Sequence, residues 1–130
     1  MKERHVVLDD SAMVAAGRGS IAASTLIHYA HHTPGWFLYA PTCALVEAER
    51  VRRGIAEHFA SMKGIRVLDL DLPAALAVAR ETSWATAHAR FAAEPDAERN
   101  AGAAIATADP TRWRGQSIEI LNVRSDQPPP

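Results

Sequence analysis

Three acidic residues stand where carboxylates could do hydrolytic chemistry. Asp9 follows the apolar run Val6-Val7-Leu8, and Asp109 follows Ala103-Ala104-Ile105-Ala106 and a short Thr107-Ala108 step. Glu47 interrupts a helical pattern beyond Pro41. Ligands of open parallel sheets bind beyond the carboxyl ends of the strands, so Asp9 and Asp109 are expected at one sheet edge. Ala44, Glu47, Ala48 and Val51 share a face by three-and-four spacing, which predicts that Glu47 turns toward the sheet. Two carboxylates about 4 Å apart at an effective dielectric near 20 repel by about 4 kcal/mol. A hard divalent cation, Mg²⁺ or Mn²⁺, relieves that repulsion and prefers such oxygen ligands. Water on the ion can supply the nucleophile for phosphodiester hydrolysis. Asp9, Glu47 and Asp109 are therefore the candidate catalytic and metal-binding residues. Each also has an ordinary use: Asp9 as a helix cap, Asp109 as an Asp-Pro turn, Glu47 as a solvated helix residue.

The elements that must hold these acids are readable in outline. Val6–Leu8, Trp36–Ala40, Ile65–Leu68, Ala103–Ala106 and Ile118–Val123 read as strands. Helices are expected over Ala12–Ala16 with Ser11 as cap, from Ser20 to Thr33, and from Thr42 to Met62. Ile21, Leu26, Ile27 and Ala30 are expected near one face of the second of these. Asp71 and Ser83 read as N-caps of two more helices, with Pro73 in the first turn of the former. Strands alternating with helices imply an α/β/α sandwich around a mostly parallel sheet of four or five strands. Neither a dinucleotide-binding nor a P-loop glycine pattern is present.

These pieces together resemble the PIN-domain family of VapC-type toxins. The matching motifs are VVLDDSAM, the Pro-led PTCALVEAER, the helix WATAHARFAA, and IATADPTRW before IEILNV, in order over about residues 5 to 123. The resemblance implies Mg²⁺ or Mn²⁺ at an acidic cluster, endoribonuclease activity on RNA, a cognate antitoxin and a homodimer. It carries the first, second and last family acids onto Asp9, Glu47 and Asp109. The remaining family acid falls at Ser83, a neutral and poorer ligand, with Glu81 two residues earlier as a substitute. Loss of that acid implies an alternative, a PIN-fold protein with weakened or absent catalysis that binds RNA or a protein partner. Asp10 takes the variable position of the first motif and is read as solvent-facing. Ser11, Thr107 and Arg112 are candidate substrate contacts, with Ser11 equally a cap.

Composition bounds the reading further. The chain has 130 residues, one domain's worth, assigned to residues 1–124 with a flexible proline-rich tail at 125–130. Fourteen Lys and Arg against 15 Asp and Glu give a net charge of −1, which excludes nucleic-acid binding by bulk charge alone. One cysteine, Cys43, excludes an internal disulfide and a cysteine-based zinc cage, and reads as a small buried hydrophobe. No membrane span or signal-type stretch is evident, so a cytoplasmic protein is expected. His28, His31 and His32 read as a polar helix end, and His88 as a packed helix residue. Trp113 is expected to plug the core, and Trp36, Trp84, Phe37, Phe59 and Phe91 to lie in the core or an interface.

Overall fold

The computed structural model describes residues 3–124. The tail assigned to 125–130 lies outside them. The elements run β1 (Arg4–Leu8), α1 (Asp10–Gly17), α2 (Ile21–His32), β2 (Trp36–Pro41), α3 (Thr42–Val51) and α4 (Ile55–Ser61). They continue with β3 (Ile65–Leu68), α5 (Leu72–Val78), α6 (Trp84–Ala93), β4 (Ala104–Thr107), a 3-10 turn (Pro110–Trp113) and β5 (Ile120–Asn122). The five strands form one parallel sheet in the order β3-β2-β1-β4-β5.

Strand alternation builds the two halves of the core. Val6 and Leu8 point to one face, where α1, α2, α3 and α4 contribute Met13, Ala30, Ala44, Leu45 and Phe59. Val7 points to the other face with Tyr39 and Ile105, against Ala89, Ala92 and Ala93 of α6 and the indole of Trp113. The alanine face lets α6 lie close to the sheet, and α5 packs on α6. Both faces of the parallel sheet are thus covered, as its near-continuous apolar strands require.

The chain leaves β1 toward β2 and β3, then crosses to β4 on the opposite side of β1. The reversal puts a crevice beyond the carboxyl ends of β1 and β4, the place where such sheets hold ligands. Leu8 registers with Ala106, and the Asp9 N–H donates to the Ala106 carbonyl at 3.1 Å. The expectation that Asp9 and Asp109 share one edge holds.

Several local expectations need correction. The helix expected from Thr42 to Met62 is two helices, broken at Arg52–Gly54, with Gly54 in the left-handed region at φ 95°. The Glu49 carboxylate accepts from the N–H groups of Gly54 and Ala56, capping α4 where its own N-cap has no side chain. The buried stripe of α3 is Ala44, Leu45 and Ala48, so Glu47 and Val51 are exposed rather than turned to the sheet. Ile21, just past the Ser20 cap, is 81% exposed and outside the core. Trp84, expected in the core or an interface, is 64% exposed and so lies outside the core.

Candidate acidic cleft at the sheet switch point

Asp9 ends β1 and has no exposed surface. It, not Ser11, caps α1: its Oδ1 accepts from the Ala12 N–H at 2.9 Å. Ser11 has a different task. Its hydroxyl donates to Asp9 Oδ1 at 2.7 Å, accepts from the Ala108 N–H at 2.9 Å and lies 3.1 Å from the Thr107 hydroxyl. That links the end of β1 to the end of β4. Thr107 is itself fully buried, and its hydroxyl accepts from the Asp109 N–H at 3.0 Å. The Thr107 hydroxyl is buried, while Ser11 is partly buried.

The second oxygen of Asp9 faces the 3-10 turn after β4. Trp113 Nε1 donates to Oδ2 at 3.1 Å, and an Arg112 guanidinium nitrogen lies 3.5 Å from it. The same nitrogen donates to Asp10 Oδ1 at 2.6 Å, while Arg112 Nε is 3.7 Å from Asp109 Oδ2. Asp10 was expected to face solvent, but its side chain is only 13% exposed and lines the cleft bound to Arg112. Asp109 is half exposed and also accepts from the Thr111 hydroxyl at 2.8 Å. One guanidinium thus meets three carboxylates, two from the Asp9-Asp10 start of α1 and one from the turn after β4.

Burial raises the Asp9 pKa above the ordinary carboxylate value, against the pull of its hydrogen bonds from Thr107, Ser11 and Ala12 and the charge of Arg112. Burial pulls the Arg112 pKa down, but the bond to Asp10 and the charges of Asp10, Asp9 and Asp109 outweigh it, leaving a net rise. Arg112 therefore stays charged throughout the accessible pH range.

Outside this knot an open cleft of about 740 Å³ carries Glu47, Arg50, Ser83, Trp84 and the exposed sides of Asp10 and Arg112. Glu47 and Asp10 thus share a cleft, while Asp9 lies behind it. Ser83, at the position of the replaced family acid, is the N-cap of α6 and accepts from the Thr86 N–H at 3.2 Å. Glu81 does not substitute there; it is paired with Arg90.

Whether these residues fit a divalent ion is decided by their oxygens. A carboxylate offers about four lone-pair sites, and Asp9 meets donors from Ser11, Ala12, Trp113 and Arg112. Among the described residues no three His, Cys, Asp or Glu side chains form a group able to hold a metal. As arranged, the donor set does not fit Mg²⁺ or Mn²⁺, because a guanidinium and an indole N–H already use the inner oxygens.

Sequence reasoning missed two of the organising contacts, Asp10 to Arg112 and Trp113 to Asp9. The Asp-Asp doublet and the tryptophan four residues after Asp109 were the available signals. Trp113 does plug the core as expected, at 2% exposure, with its N–H on Asp9 as an added role.

His88 of α6 is buried beneath the same end of the sheet. Its Nδ1 accepts from the Cys43 N–H at 3.3 Å, tying down the start of α3, whose N-cap Pro41 offers no side-chain bond. Burial lowers the His88 pKa, against the charge of Asp71 and a bond to the Asp69 backbone. The unfolded chain therefore binds this proton more readily. The neutral ring's contribution to stability is complete above the ordinary histidine value and is lost as pH falls through the lower folded value. Folding free energy is expected to decline through that window with a slope of up to about 1.4 kcal/mol per pH unit. His88→Asn keeps an acceptor near Nδ1 but cannot titrate, so urea unfolding across pH should show a shallower slope. An unchanged slope would assign the pH dependence elsewhere.

No protein-family model and no curated protein matches the sequence. Among solved structures, a chain of the VapBC2 complex from Rickettsia felis, crystallised with a DNA fragment from its promoter, is similar in fold. The TM-score is 0.57 at 11% identity, over 91% of this chain and 98% of that one. Among the described residues no helix is long and apolar enough to cross a membrane. The parallel sheet order, the covered faces and the acids at the switch point give this chain the PIN-type α/β/α fold that its motifs resemble.

Proposed function

We propose that this is a toxin–antitoxin-type PIN-fold protein whose metal-dependent RNA hydrolysis is weakened or lost, retained to bind a protein partner of antitoxin type. One observation carries the reading. Arg112 and Trp113 hold the inner carboxylate oxygens that a divalent ion would need. The neutral Ser83 cap supports it from the other side of the cleft. A protein partner fits the cleft because Val46, Leu70 and Trp84, all substantially exposed, line it beside Glu47 and Arg50. Aromatic and apolar groups ringed by charge are the usual make-up of a protein interface. The complex named in the structural similarity supports the same kind of partner. Homodimer formation and a cytoplasmic setting belong to the same reading.

A second reading has its own observation. One guanidinium against three carboxylates leaves the centre net negative, still attractive to a cation. Under that reading the protein is a Mg²⁺- or Mn²⁺-dependent endoribonuclease, with Asp9, Glu47 and Asp109 as its acids and RNA as substrate.

RNA cleavage separates the two. Single-stranded and structured RNAs incubated with the protein in Mg²⁺ or Mn²⁺ should show no cleavage above an Asp9→Asn control. Co-expression with the product of the adjoining reading frame should yield a stoichiometric complex. Cleavage that depends on Asp9 would establish the nuclease instead.

A further inference from the structure

We propose that Arg112 is the resident cation of the acidic centre, a built-in arm that offsets part of the carboxylate charge and keeps a divalent ion out while it is seated. The inference rests on the PIN-type reading of this centre and names what closes it.

Three features make the seat specific. First, the carboxylates come from two segments distant in sequence, the Asp9-Asp10 doublet after β1 and Asp109 after β4, yet one guanidinium reaches all three, at 2.6 Å to Asp10, 3.5 Å to Asp9 and 3.7 Å to Asp109. Second, the turn that carries Arg112 is anchored on both sides: Pro110 opens it, and Trp113, fully buried, closes it with its indole N–H on Asp9. The backbone at Arg112 is therefore held, and its side chain is directed at the centre. Third, access is ordered. Asp9 has no exposed surface, whereas Arg112 is 22% exposed and lines the cleft. A cation arriving through the cleft meets Asp10 and the guanidinium before it reaches Asp9.

The chemistry makes occupancy exclusive. A small dication takes oxygens directly into its coordination shell at about 2.0–2.1 Å. On Asp9 Oδ2 the indole and guanidinium N–H groups already take both acceptor sites, and at Asp10 a dication would have to sit against the positively charged guanidinium, which repels it. Arg112 meets the acids only through its side chain, so a rotation of that side chain vacates the centre while the Pro110–Trp113 turn stays in place.

The test is thermal unfolding of the full chain, with Mn²⁺ as the probe, in EDTA and in millimolar MnCl₂. The wild-type midpoint should be the same in both. Arg112→Gln should fall by roughly 5–10 °C in EDTA and recover several degrees in Mn²⁺. Adding Asp9→Asn to that chain should abolish the recovery. An Arg112→Gln protein as stable as wild type in EDTA, or indifferent to Mn²⁺, overturns the proposal. Should the glutamine variant not fold, Arg112→Lys carries the test, since it keeps the charge but not the fork. Greater Mn²⁺ stabilisation of the lysine variant than of wild type supports the proposal, and equal behaviour overturns it. RNA cleavage by the wild type would overturn the reading of weakened catalysis; the difference between wild type and variant decides this one.

Discussion

Trp113→Ala is expected to destabilise the protein by about 3–5 kcal/mol, the range for removing a large buried aromatic. Its indole fills the face of the sheet formed by Val7, Tyr39 and Ile105 and packs near the alanines of α6. Its N–H is also one of the donors holding Asp9. Trp113→Phe separates the two roles. It keeps much of the apolar contact but leaves Asp9 Oδ2 short of a donor, at about 1–3 kcal/mol. Chemical denaturation of both variants checks the claim. If the phenylalanine variant matched wild type, the hydrogen bond to Asp9 would contribute nothing and the packing everything.

The second large effect belongs to Asp9. Asp9→Ala removes the cap of α1, about 1 kcal/mol by itself. It also strands the Trp113 N–H and unlinks Ser11 from β1, for a total of about 2–4 kcal/mol. Asp9→Asn keeps a cap acceptor for Ala12 and removes the buried charge. The pH behaviour gives an independent readout. Because burial raises the folded pKa, folding takes up a proton at Asp9 in the window above the ordinary carboxylate value. The stability tied to that proton is complete at low pH and declines as pH rises through the raised value. Asp9→Asn should remove that decline while the His88 contribution, of opposite sign, remains. A pH profile identical to wild type would mean that Asp9 titrates no differently in the two states.

Much of the fold was legible because the strands announce themselves. Val6-Val7-Leu8 and Ile65–Leu68 are short apolar or β-branched runs with polar ends, and both are strands. Asp71 and Ser83 cap helices as read, since their side chains sit three residues ahead of an orphan N–H. The break between α3 and α4 was not legible. Val51, Ile55 and Phe59 keep a spacing of four across it, so periodicity runs on while Gly54 turns the chain. Glu47 was misplaced by one step around α3, because Ala44 and Ala48 alone do not say on which side of their stripe the next residue lies.

The site divides along the same line. The placement of Asp9 and Asp109 at one sheet edge follows from strand ends and the parallel sheet, which sequence shows. The seat of Arg112 depends on the shape of the Pro110–Trp113 turn, and a turn's side-chain directions follow from packing against Asp9 and the core. That is why Arg112, read as a candidate substrate contact, is found bound to the protein's own acids. It is also why Asp10, read as solvent-facing, is part of the centre.

An arginine, and not a metal ion, is proposed as the cation among the acids at the switch point of the sheet. Calorimetric titration of MnCl₂ into the wild-type protein tests it most directly. No saturable heat is expected. Saturable binding in the micromolar to low-millimolar range, absent from Asp9→Asn, would contradict it and put a metal where Arg112 sits.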